Sequence, residues 1–97
     1  MAQFDFYPYQ AGFLLDVQAD LMDGLNTRIA VPLLPSGEAP QPASRLNPVF
    51  TIGDGRYTML TQFMAALALA EMRDKAGSLA HEHFAIKVAI DMIFDGV

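Results

Sequence analysis

Two stretches of the sequence carry residue types that do chemistry. His81-Glu82-His83 sets two imidazoles around a carboxylate, a group that binds transition metals when the ligands converge. Residues two apart on a helix point about 200° apart, so the two rings cannot share one ion there. No third ligand stands at a metal-site spacing. The segment reads as a solvated helix start, with Glu82 near the positive end of the helix dipole. Asp16, Asp20 and Asp23 form the second set. General acid–base carboxylates need one raised and one ordinary pKa, hence a buried site; on a half-exposed strand these three read as a solvated face. No Ser/His/Asp order, phosphate-binding glycine loop or nucleophile elbow is present. Recognition is a better prospect than catalysis. The sequence ends Met92-Ile93-Phe94-Asp95-Gly96-Val97 without a polar tail, whereas chain ends are usually frayed and polar. An apolar end running off an amphipathic helix serves core packing or an interface.

The elements that must position these residues are strands first and a helix last. Phe4 and Phe6 fall on one face of a strand over 3–9, with Asp5, Tyr7 and Tyr9 on the other. Pro8 confines that strand to an edge or ends it. Phe13 to Asp20 alternates again, with Leu15, Val17 and Ala19 opposite Asp16, Gln18 and Asp20. Turn chemistry at 23–26 leads to a short apolar strand, Ile29 to Leu34. Four prolines between Pro35 and Pro48 exclude a regular element and predict a surface loop. Val49–Ile52 and Arg56–Met59 flank Gly53-Asp54-Gly55, a hairpin in which Asp-Gly is expected to supply the positive φ. The Ala-, Leu- and Met-rich run after Thr58 fits a helical stripe and a period of two equally well, and stays open on local grounds. Gly77-Ser78 breaks the chain, and Ser78 can cap the element after it. His81 to Phe94 is the predicted helix, with Ile86, Ala89, Ile90 and Ile93 on one face and Gly96 as its stop. The expected core is Phe4, Leu15, Val17, Ile29, Val31 and Ile52, with the methionines as filler.

Composition narrows the function. A chain of 97 residues, 53% hydrophobic and 18% charged, predicts a single domain over 1–97 and argues against disorder. It has no cysteine, which excludes a disulfide framework and any thiolate metal site and fits a reducing compartment. Neither a secretion-type start nor an apolar run of about 20 residues is found, so the expected address is the cytoplasm. Eleven acidic against six basic residues give a net charge of −5, and the bases are scattered. That balance counts against a nucleic-acid groove and suits a basic partner surface.

Asp16-Val17-Gln18-Ala19-Asp20, Ala30-Val31-Pro32-Leu33, Pro48-Val49-Phe50-Thr51-Ile52-Gly53-Asp54, and Ala89-Ile90-Asp91-Met92-Ile93-Phe94-Asp95-Gly96-Val97 together resemble the CcdB toxins of toxin–antitoxin pairs. Gln3-Phe4 matches as well. Each motif alone is weak; their order and spacing over nearly the whole chain carry the resemblance. It implies a mostly β fold with one C-terminal α-helix, an SH3-like small β-barrel with an added small sheet, assembled as a homodimer. It implies that Thr58–Met72 is largely strand. The implied activity is binding the A subunit of DNA gyrase and trapping the enzyme on cleaved DNA, with no catalysis, cofactor or metal of the toxin's own. A CcdA-like antitoxin with a disordered tail would wrap the toxin and release gyrase.

Transferred residue by residue, the implied gyrase-binding surface is Leu21, Met22, Asp91, Phe94, Asp95, Gly96 and Val97. Asp95 is the main departure, because well-known relatives carry a tryptophan there that stacks on a gyrase arginine. Asp95 cannot stack, although it can pair with the same arginine. The loop before Phe13 and the Pro-rich loop are shorter than in relatives, where antitoxin contacts are expected. The implied fold is shared with MazF- and Kid-like toxins, which are endoribonucleases; an RNA groove here would draw on Thr27, Arg28 and Arg56. The acidic balance and the C-terminal motif weigh against that alternative. A third reading, supported by Asp95 alone, is a relative that no longer poisons gyrase.

Overall fold

The computed structural model of the protein describes residues 1–96. Seven strands pair antiparallel in one curled sheet. They are β1 (Asp5–Tyr9), β2 (Gly12–Asp16), β3 (Thr27–Pro35), β4 (Val49–Ile52), β5 (Gly55–Met59), β6 (Ala65–Ala68) and β7 (Gly77–Ser78), and α1 (His83–Asp95) comes last. The order is β4-β5-β3-β2-β1-β7, with β6 also paired to β3. The mostly β architecture with one C-terminal helix is the one expected, and the strands of the expected small barrel and added sheet join here in one curled half-barrel sheet.

β3 organises the sheet because it pairs along both edges. β2 lies on one side, with Phe13 opposite Leu33 and Asp16 opposite Ala30. The other side carries β6 against Thr27–Ala30 and β5 against Leu33–Pro35. Pro32 falls where that edge passes from β6 to β5, so its missing N–H costs no ladder bond, while its carbonyl still accepts from Leu60 N at 2.9 Å. The period of two then sorts side chains between two faces. Phe4, Phe6, Leu15, Val31, Leu33, Phe50 and Met59 form the main core with Leu79, Ile86 and Ala89 of the C-terminal part. Tyr7, Leu14, Ala30 and Met72 form a smaller cluster.

That second cluster corrects the sequence reading of β2. Its polar face is covered, not solvated: Asp16 is 0% exposed and Gln18 is also buried. The strand ends at Asp16 instead of continuing to Asp20. Of the expected core, Phe4, Leu15 and Val31 are buried, Val17 and Ile52 pack against the cluster in part, and Ile29 is only half-buried. Met59 and Met72 are buried, as filler should be, but Met1 and Met22 are exposed.

The β4–β5 hairpin forms as expected, with a different turn residue. Ile52 pairs with Gly55, so Gly53-Asp54 is the two-residue loop. Gly53 carries φ 60°, the first-position glycine of a type II′ turn. Thr58–Met72 contains no α-helix, but it is strand only in part, interrupted by 3₁₀ turns at Thr61–Phe63 and Leu69–Glu71. Its backbone completes the free edge of β3, a long-range demand that outweighs helix propensity. The Pro-rich loop is pinned at its end by buried Asn47, whose Nδ2 donates to Met59 O at 3.0 Å and to Gln62 Oε1 at 2.8 Å. A 3₁₀ turn at Ala80–Glu82 leads into α1, and Ser78 Oγ accepts from Ala80 N–H at 3.1 Å. Ile86 and Ala89 bury one helix face; Gly96 ends the helix in the left-handed conformation at φ 73°, its N–H donating to Met92 O.

Candidate functional site

The connection from β2 to β3 is built on a buried ion pair. Arg28 Nε and Nη2 donate to Asp16 Oδ2 at 2.9 and 2.6 Å, and both side chains are 0% exposed. The third guanidinium nitrogen, Nη1, donates to Asp23 Oδ1 at 2.8 Å, and Asp23 is 58% exposed. Burial pushes the Asp16 carboxyl above its ordinary value, and the bonds from Arg28 and the Gln18 N–H recover only part of the shift. Burial opposes the Arg28 charge, but Asp16 and Asp23 outweigh it and hold the guanidinium above its usual pKa. Burial, then Asp5 and Asp16, also raises the neighbouring Tyr7 phenol.

Side-chain amides complete the frame. Gln18 Oε1 accepts from Ile29 N–H at 3.0 Å, while its Nε2 donates to Met22 O at 2.8 Å. Gln3 reaches across from the N-terminal turn, its N–H donating to Asp20 Oδ1 at 2.8 Å and its Nε2 to Val17 O at 3.1 Å. That turn places Phe4 at φ 74°, a conformation costing about 1–2 kcal/mol for a residue with a Cβ and offset by burial of its ring. All three carboxylates of the connection are therefore engaged by protein donors. The frame lifts a 3₁₀ turn at Asp20–Met22 with no buried residue, leaving Leu21 97% exposed and Met22 half-exposed.

The end of α1 forms the second surface. Phe94 is 71% exposed, with Ile93, Asp91, Asp95 and Gly96 also open to solvent. Helical spacing puts Ile93 on the face of Ile86 and Ala89, yet it emerges because the helix end runs past the core. The last turn has no basic residue, so Asp91 and Asp95 stand at the helix's negative end, where acids are disfavoured. A cation from elsewhere would relieve both. Val97 lies outside the described residues.

Within one chain, then, the implied site residues fall on two patches. Residues 91–96 are adjacent on the helix, while Leu21 and Met22 sit on the β2–β3 connection. The helix packs chiefly against the turns at Ser44–Leu46, Thr61–Phe63 and Ala80–Glu82, and the Asp20–Met22 turn is not among these main neighbours. Sequence reasoning missed exposed Phe84 and Phe63; helical spacing does set Phe84 off the Ile86–Ala89 face, which was the available signal. A groove of about 390 Å³ beside Phe84 is lined by Ser44, Arg45, Pro48, Phe84, Ala85 and Val88. It contains no carboxylate, imidazole or thiol to perform acid–base or nucleophilic chemistry.

The remaining chemical candidates do not assemble into a site. The ring nitrogen Nδ1 of His83 lies 3.0 Å from Ala80 O, and among the described residues no three His, Cys, Asp or Glu side chains converge on a metal-sized site. Arg28 cannot line an RNA groove, because its guanidinium is sealed inside; Thr27 and Arg56 are exposed. No helix among the described residues is long and apolar enough to cross a membrane. A family model described as CcdB protein matches residues 3–96 of the chain. With that match joined to a curled antiparallel sheet, one C-terminal helix and an apolar helix end, the chain belongs to the CcdB family, the toxins of toxin–antitoxin systems.

Proposed function

We propose that this toxin acts by binding the A subunit of DNA gyrase and holding the enzyme on cleaved DNA, without catalysing a reaction itself. Phe94, Asp91, Asp95, Gly96 and Val97 would make one part of the binding surface, and Leu21 with Met22 the other. The observation that carries this reading is Phe94, 71% exposed at the end of a helix whose preceding turns bury Ile86 and Ala89 completely. A large apolar side chain in that position gains most by burial in a partner, about 1.5–3 kcal/mol when fully covered. Two carboxylates at the negative helix end fit a partner that brings a cation, and Asp95 would pair with an arginine where relatives use a stacking tryptophan. The working form would be a cytoplasmic homodimer, neutralised by a CcdA-like antitoxin.

The endoribonuclease alternative loses its central candidate, since Arg28 is fully buried against two carboxylates. Induced expression without antitoxin distinguishes the readings. Gyrase-linked DNA breaks with intact RNA are expected; specific RNA cleavage without such breaks would overturn the proposal.

A further inference from the structure

We infer that Asp23, clamped by buried Arg28, is a positioning residue that presents the Leu21–Met22 turn to the partner. The inference rests on the proposed gyrase-binding reading and assigns a role to residues outside that surface. The 3₁₀ turn Asp20–Met22 buries none of its own side chains, so packing cannot fix it. Polar ties do this instead. Gln3 N–H holds Asp20 at one end, Gln18 Nε2 holds the Met22 carbonyl, and Arg28 Nη1 holds Asp23 just beyond it at 2.8 Å. Of these anchors only Arg28 is a rigid fork. Its other two nitrogens are fixed on Asp16 inside the sheet, so the position of Nη1 is set by the core and transmitted to the turn.

Leu21 is 97% exposed, so no packing within the chain holds it and its presentation to a partner depends on the turn that carries it. A binding-competent turn populated for only a fraction of the time weakens the apparent affinity by that fraction. Loosening one end of the turn enough to cut this fraction to about a tenth raises Kd about tenfold. The surface position of Asp23, 58% exposed, allows its removal without opening the core.

The test compares Asp23→Ala, Asp23→Asn and Leu21→Ala in the full chain, measuring affinity for purified gyrase A subunit, amide hydrogen exchange of residues 21–25, and the melting temperature. Asp23→Ala is expected to exchange faster in the turn, to melt within a few degrees of wild type and to bind about tenfold more weakly. Asp23→Asn, which keeps an acceptor for Arg28, should recover much of the loss and serves if the alanine variant folds poorly. Faster exchange with unchanged affinity, while Leu21→Ala still weakens binding, would overturn the positioning role and leave the gyrase surface standing. Weaker binding with unchanged exchange would also overturn it, by making Asp23 a direct contact. If neither Leu21→Ala nor Asp23→Ala alters binding, this turn is no part of the surface, and the inference falls with that part of the functional reading.

Discussion

Replacing Arg28 by methionine should be among the most damaging single changes to the fold. The variant strips Asp16 of two bonds at 2.9 and 2.6 Å in a site where both side chains are 0% exposed. The carboxylate would keep the Gln18 N–H at 3.0 Å as its remaining donor. Breaking a buried pair on one side costs about 3–5 kcal/mol, because the surviving charge stays desolvated. Against the roughly 5–15 kcal/mol that stabilises a domain, that is a large share. With a urea dependence of about 1.5 kcal/mol/M, the unfolding midpoint should fall by roughly 2–3 M. Removing both charges, as Asp16→Leu with Arg28→Met, leaves neither partner of this pair buried and unpaired and should restore much of the loss.

Acid supplies a second signature of the same effect. The Asp16 carboxyl already lies above its ordinary value through burial, and Arg28 is the chief group pulling it down. Without Arg28 its folded pKa rises further. A group raised in the folded state contributes stability that is present below its unfolded pKa and lost as pH rises through the folded pKa. The Arg28→Met variant should therefore gain stability relative to wild type between pH 7 and pH 5. Urea titrations at both pH values measure this. A single variant as stable as wild type, or one weakened further by acid relative to wild type, would refute the argument.

Four further outcomes are expected. Gly12→Ala should destabilise the β1–β2 hairpin severely, because the added Cβ would collide with the Leu33 carbonyl oxygen; thermal melting checks it. Gly53→Ala should cost about 1–2 kcal/mol through the left-handed backbone at φ 60°, with no atom near the added Cβ, read as a shift in urea midpoint. Ile86→Ala, at a fully buried helix position, should cost about 2–5 kcal/mol, against less than 1 kcal/mol for exposed Phe84→Ala. Asp95→Trp separates two modes of arginine recognition by the sign of its effect on gyrase poisoning: stronger if stacking is what the chain lacks, weaker if Asp95 already forms an ion pair.

The local rules of the sequence reached those elements whose determinants are local. Gly53-Asp54-Gly55 between two β-rich runs marked the hairpin, though the positive φ falls on Gly53 and not on the expected Asp-Gly. Three- and four-residue spacing with Gly96 marked the helix and its end. The misreading of β2 comes from a second layer that alternation cannot reveal. Asp16 and Gln18 looked solvated because their face of β2 is polar, yet Met72, far along the chain, helps cover that face and Arg28 neutralises it. The segment after Thr58 stayed undecided because its conformation is set by the unpaired edge of β3, a distant partner in sequence that sets Thr27 opposite Ala68 and Ala30 opposite Ala65. The family resemblance excluded the long helix but not the two 3₁₀ interruptions. Of the candidate site, the apolar helix end was legible from its composition. The frame under Leu21 was not, since Gln3, Gln18, Asp23 and Arg28 have no sequence spacing that announces their meeting.

The most direct measurement is a binding isotherm between purified gyrase A subunit and two forms of the chain, wild type and one lacking Gly96 and Val97. The core is built from residues up to Ala89, so both forms should fold and melt alike. Tight binding by the wild type and its loss in the truncated form is the predicted result. Equal binding by both, with the truncated chain folded and in the same oligomeric state, would contradict a gyrase-binding surface at the helix end.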